Sequence, residues 1–153
     1  MRILLSLAAV FFLGSSAFAT TVKDFVGTWA GTRVKTYKGT VSKYLEVDSY
    51  RSTGDGGLVM RSTIHMPQGV AHIVYEFFKN GSVEQTGVLK GELYGSYSGS
   101  WRLNENTLIV YLYSDGGGTR RYGTIKVRLV GNALALTNSW SDGVQVAAHL
   151  VKR

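Results

Sequence analysis

The chain has 153 residues, a formal charge of +7, nineteen glycines, one proline and no cysteine. Without cysteine it has no disulfide, no thiol nucleophile, no thiolate metal ligand, and none of the lipid-carrying cysteine that follows a bacterial lipoprotein leader. Its cations are scattered singly apart from Arg120-Arg121 and Lys152-Arg153. No nucleic-acid arm is therefore expected, and the excess charge would at most attract an acidic protein or glycan surface.

The chain opens with Arg2, an apolar run over residues 3–13 broken only by Ser6, and a segment ending Ala17-Phe18-Ala19. This pattern predicts a secretory signal peptide cleaved after Ala19. The run is far short of the roughly 20 apolar residues that span a bilayer, so no transmembrane segment is expected. Residues 20–153 are then expected to form a single domain, large enough to bury a core without covalent staples. The predicted location is the periplasm or the medium.

From residue 20 onward, short alternating runs of aromatic and β-branched residues are separated by glycine-rich turns. They predict an all-β chain with at most one short helix. In the first run, Gly27-Thr28-Trp29, the indole can plug one end of a closed sheet. Gly27 and Gly31 on the same face leave room for it. A basic side chain from a late strand can cover such a ring by a cation–π contact, and Arg128 and Arg153 are the candidates. In the next run Tyr44, Glu46, Asp48 and Tyr50 alternate with Leu45 and Val47.

Met66-Pro67-Gln68-Gly69 predicts a turn that pairs Ile64 with Ala71, Ser62 with Ile73 and Met60 with Tyr75. The opposite face of that pair collects Arg61, His65, His72 and Glu76, with Arg61 diagonal to both His72 and Glu76. Asn80-Gly81 predicts a two-residue type I′ turn. Further on, a turn at Glu105-Asn106 pairs Leu103 with Leu108 and Trp101 with Val110. The glycines at 116–118 read as a hairpin tip. A two-residue loop at Gly131-Asn132 pairs Leu129 with Leu134 and Val127 with Leu136. A three-residue loop at Ser141-Asp142-Gly143 sets Trp140 against Val144, Leu136 against Ala148 and Leu134 against Leu150, with Gly143 left-handed. Each register gathers apolar residues on one face, and a slip of one residue would mix the faces. A meander of about eight to ten antiparallel strands closes most simply into an up-and-down β-barrel with its apolar face inside.

The opening Asp24-Phe25-Val26-Gly27-Thr28-Trp29 resembles the first-strand motif of the lipocalin, fatty-acid-binding-protein and avidin (calycin) superfamily. Gly95-Ser96-Tyr97-Ser98-Gly99-Ser100-Trp101-Arg102-Leu103, followed by Leu108-Ile109-Val110, resembles later strands of bacterial lipocalin-like domains. The resemblance implies a barrel with a lumen for a small hydrophobic or amphipathic molecule, and structural roles for Gly27 and Trp29. Three family features are absent: the two-helix lid after the first strand, the C-terminal Arg-x-Tyr clamp, and the T-D-Y motif. The haem-binding nitrobindin-like barrels also open with G-T-W and carry an axial histidine near the C-terminus. Here the strand pairing turns His149 outward, so no cofactor is expected.

The lumen is expected to be lined by Met60, Ile64, Tyr75, Phe77, Tyr97, Trp101, Val110 and Val127. Arg61, His65, His72 and Glu76 are expected to form a surface polar cluster; a register shifted by one would turn them inward. His65, His72 and His149 have no metal-ligand spacing, and there is no nucleophile elbow and no phosphate loop, so neither metal nor catalytic residue is assigned. The leading expectation is therefore ligand burial in the lumen. The alternative is a protein-binding barrel, such as an inhibitor of an exported hydrolase, acting through its loops or residues 20–24. An enzyme is the third possibility.

Overall fold

The computed structural model describes residues 20–114 and 121–153. The leader, its expected cleavage site after Ala19, and the glycine tip at 116–118 lie outside the described residues. A short 3-10 helix, Val22–Phe25, leads into ten strands: β1 Gly27–Tyr37, β2 Thr40–Ser52, β3 Leu58–Met66, β4 Gly69–Phe77, β5 Ser82–Leu89, β6 Glu92–Asn104, β7 Thr107–Ser114, β8 Arg121–Val130, β9 Ala133–Trp140 and β10 Gln145–Lys152. Each strand pairs antiparallel with the next, and β1 pairs with β10 to close the barrel.

The registers follow the apolar pattern. Met60 faces Tyr75, Trp101 faces Val110, Val127 faces Leu136 and Leu134 faces Leu150, as the sequence predicts. One turn differs. Asn80-Gly81 does not form a two-residue type I′ loop. Instead Phe78 N–H donates to Ser82 O (2.9 Å) and Gly81 N–H to Phe78 O (3.0 Å), so the loop holds three residues. Only Gly81 takes a positive φ (86°) there, whereas a type I′ turn needs two such residues. The Asn80 side chain accounts for the difference, since it accepts from the Ser82 N–H (2.9 Å) and hydroxyl (2.7 Å) and fixes a wider turn.

One end of the barrel is plugged. Phe25, Trp29 and Tyr50 are buried there, with Leu58, Leu108, Leu134 and Leu150 beneath them. Trp29 Nε1 donates to Phe25 O (2.9 Å), tying the short helix across this end. The cation over the indole is Lys152, whose Nζ lies 5.2 Å from the ring centroid, and not Arg128 or Arg153. Arg128 is exposed on β8, opposite Thr107 and Ala135. The backbone N–H of Arg153 donates to Thr28 O. The reason is register: Lys152 is the residue directly opposite Trp29 on β10. Gly27 has φ 141°, and a Cβ at that position would meet Lys152 Cε at 2.9 Å, so this glycine leaves the lysine its path over the ring.

Gly31 acts at the closing seam rather than as space for the indole. A Cβ there would collide with the backbone carbonyl of His149 on β10. Because this obstacle is backbone and not a pliable side chain, Gly31→Ala must push β1 and β10 apart. We expect a loss of about 1–3 kcal/mol, measured as a lower urea midpoint. An unchanged midpoint would show that the seam tolerates the wider spacing.

Candidate functional site

The sequence-predicted lumen residues fall into three groups. Met60, Phe77, Val110 and Val127 line a small inner cavity of about 20 Å³. Ile64 and Tyr97 line a larger space of about 260 Å³ above it, and Tyr75 borders both. Trp101 lines neither. Its ring packs edge-on against Phe77 (5.6 Å between centroids, 74°), and its Nε1 donates to Phe78 O (2.8 Å) at the plugged end. The larger space is walled by residues near the opposite end of the strands, including Lys35, Tyr44, Met66, Tyr94 and Trp140, so it forms the mouth of the barrel.

The polar cluster lies outside. Arg61, His65, His72 and Glu76 are all exposed, and Arg61 sits opposite Val74 with His72 and Glu76 on the diagonals. Arg61 and Glu76 make no ion pair; the nearest polar contact is Thr63 Oγ1 at 3.5 Å from His72 Nδ1. His149 is also exposed, between Thr32 and Ala135 on the outer surface. No group of three or more metal-ligating side chains occurs among the described residues.

What the apolar pattern does not reveal is a polar floor inside the lumen. On β2 it is Glu46, Asp48 and Tyr50 that turn inward, to 1 %, 0 % and 1 % exposure, while Leu45 faces out at 48 %. The β2–β3 register explains this. Tyr50 lies opposite the buried Met60, Asp48 opposite the buried Ser62 and Glu46 opposite the buried Ile64. Arg33 on β1 joins them, its Nη1 donating to Glu46 Oε1 at 3.0 Å, and the Ser62 hydroxyl donates to the same oxygen at 3.1 Å.

Several groups stay unpartnered: Glu46 Oε2, both Asp48 oxygens, the Tyr50 hydroxyl and Asn138 Oδ1. Burying a carboxylate in this way costs on the order of several kcal/mol unless a partner compensates, and one guanidinium stands here against two carboxylates. Desolvation pushes the Asp48 carboxyl well above the usual carboxylate range, and the neighbouring Glu46 adds to the rise; Ser62 and Arg33 act in the opposite sense. Burial likewise raises the Tyr50 and Tyr75 phenols, helped by the two carboxylates.

One cation of the mouth, Arg121, is fully engaged. Arg121 Nε donates to Asp142 (2.9 Å), its Nη1 donates to the Tyr97 hydroxyl (2.7 Å), and its guanidinium stacks 4.1 Å from the centre of Trp140. The Tyr97 and Trp140 rings touch, with centroids 5.0 Å apart. The ion pair with Asp142 is partly exposed and contributes about 0–1 kcal/mol. The main work of this group is to hold two aromatic walls.

No protein-family model matches the chain, and no curated protein matches it significantly. Among solved structures, the chain is similar to Rv2717c from M. tuberculosis, with 14 % identity and a TM-score of 0.59 over 84 % of this chain and 92 % of that one. At that identity the likeness bears on the fold alone.

Asp48 should make stability depend on pH. Its folded-state affinity for a proton is raised, so its burial penalty is absent below the unfolded-chain pKa of ~3.9 and grows as pH rises toward the folded value. Asp48→Asn should therefore stabilise the barrel, and more at pH 8 than at pH 4. We expect the gain in Tm to differ by at least ~3 °C between the two, read by thermal melts. Equal gains at both pH values would mean that the carboxyl titrates normally.

Proposed function

We propose that this protein is an exported, lipocalin-like barrel that takes a small amphipathic molecule into the open end of its lumen. The observation that carries this reading is the space of about 260 Å³ at the mouth, walled by Ile64, Tyr75, Tyr97, Trp140 and Val146 and leading down to the polar floor at Arg33 and Asn138. An apolar wall with a few convergent polar groups is the usual make-up of a small-molecule site. The driving force would be burial of the ligand's apolar surface, worth about 25 cal/mol per Å² before the costs of ordering. The short-run leader at residues 3–13 supports export. The G-x-W opening and the shared barrel support the lipocalin-like relationship.

A protein-binding barrel is the second reading. A specific feature favours it: Tyr111 and Tyr113 on β7 and Tyr122 on β8 stand exposed together on the outer surface, Tyr113 directly opposite Tyr122. Aromatic residues gathered on an open sheet face are common at protein interfaces.

The neutral fluorophore N-phenyl-1-naphthylamine separates the two. Under the lumen reading it binds equally at low and high salt, because burial and not charge drives it. Trp140→Ala should weaken its binding roughly tenfold. Trp101→Ala should lower thermal stability and leave probe affinity unchanged, since that ring lies outside both cavities. A probe that fails to bind, or that binds the Trp140 variant as well as the parent, would sink the lumen reading.

A further inference from the structure

We propose that the ligand of this barrel is an amphipathic amine, whose ammonium group seats in the inner cavity against Glu46 Oε2, Asn138 Oδ1 and the Tyr50 hydroxyl while its apolar body fills the mouth. This rests on the lumen-binding reading and adds the chemistry of the head group.

The argument is one of donors and acceptors. Of the three cations that line these spaces, Arg33 is held by Glu46 and Arg121 by Asp142, Tyr97 and Trp140, while Lys35 lines the mouth and not the inner cavity. The acceptors are not so held. Glu46, Tyr50 and Asn138 all border the inner cavity, are 5 % exposed or less, and carry polar atoms without a partner. Between Glu46 and Tyr50 on the same face of β2, Asp48 is fully buried with both oxygens unpartnered, although it does not line the cavity. Buried acceptors in this number call for a multiple donor. An ammonium group offers three N–H bonds for the three acceptors, and brings its positive charge to the free oxygen of Glu46, the carboxylate that lines the cavity. A carboxylate head group would set a second anion beside Glu46 and bring no donor.

Size and walls agree. A cavity of about 20 Å³ admits a group the size of one water molecule. An ammonium group is of that size, and a ring is not. Tyr75 and Phe77, stacked at 6.0 Å, stand in the cavity wall and present aromatic surface to a cation. Arg33, Ile73, Tyr75 and Asn138 border both spaces, so a short chain can pass between them with its head below and its body above.

The test uses three probes of one skeleton: 2-phenylethylamine, 2-phenylethanol and 3-phenylpropionate. Each competes with N-phenyl-1-naphthylamine on the intact exported chain at neutral pH. We expect the amine to bind at least about tenfold more tightly than the alcohol, with the carboxylate weakest. Glu46→Gln should remove most of the amine's advantage and leave alcohol binding in place. The wild-type series alone decides the question if that variant does not fold. Equal binding of amine and alcohol would overturn the proposal and leave the inner cavity a water site. A preference for the carboxylate would also overturn it and move head-group recognition to Arg33, Lys35 and Arg121. In either case the bound fluorophore keeps the lumen reading alive; a fluorophore that does not bind at all takes both readings down.

Discussion

Closure of β1 on β10 is the constraint from which the rest follows. A strand in an open sheet can leave one face and two edges in water, but a strand in a closed ring must put every second side chain inside. Closure here needs close backbone approach at Gly31, where any side chain would strike the His149 carbonyl. It also places Lys152 opposite Trp29, so the last strand supplies the cation that covers the plug of the first. The first and last strands are thereby fastened at this end of the barrel without a disulfide.

Closure also forces polar residues inward. Once Tyr50 is set opposite Met60, Asp48 and Glu46 have no freedom to face water, because side chains alternate strictly along a strand. The interior then holds two carboxylates against one guanidinium, in a space where unpaired charge is expensive. A barrel built only for stability would fill these positions with apolar side chains. The interior is consequently graded: a buried aromatic plug at one end, a polar floor in the middle, and an aromatic mouth at the other, steadied by Arg121.

Much of the fold was legible because strand registers are self-checking. The pairings of Met60 with Tyr75, Trp101 with Val110 and Leu134 with Leu150 each bring apolar partners together, and each short loop admits one alignment. The Asn80-Gly81 turn was harder to read. A side chain hydrogen bond to Ser82, not dipeptide preference, sets its length. The cation over Trp29 was legible as a kind of contact and not as a residue, because β10 joins β1 only across the closure and no turn links them in sequence.

The polar floor was the part the pattern concealed. Glu46 and Asp48 alternate with Leu45 and Val47, and that strand carries polar residues on the face the barrel buries. Its orientation could be found only by counting register across the loop from Ser52 to Leu58, where a string of glycines permits several alignments. Sequence alone thus determined the all-β class, the meander and most hairpins, since these rest on contacts between neighbours along the chain. Tertiary structure alone decided which face of β2 looks inward, which cation caps Trp29 and how Arg33 meets Glu46. Those follow from closing the ring, an event that joins residues far apart in sequence.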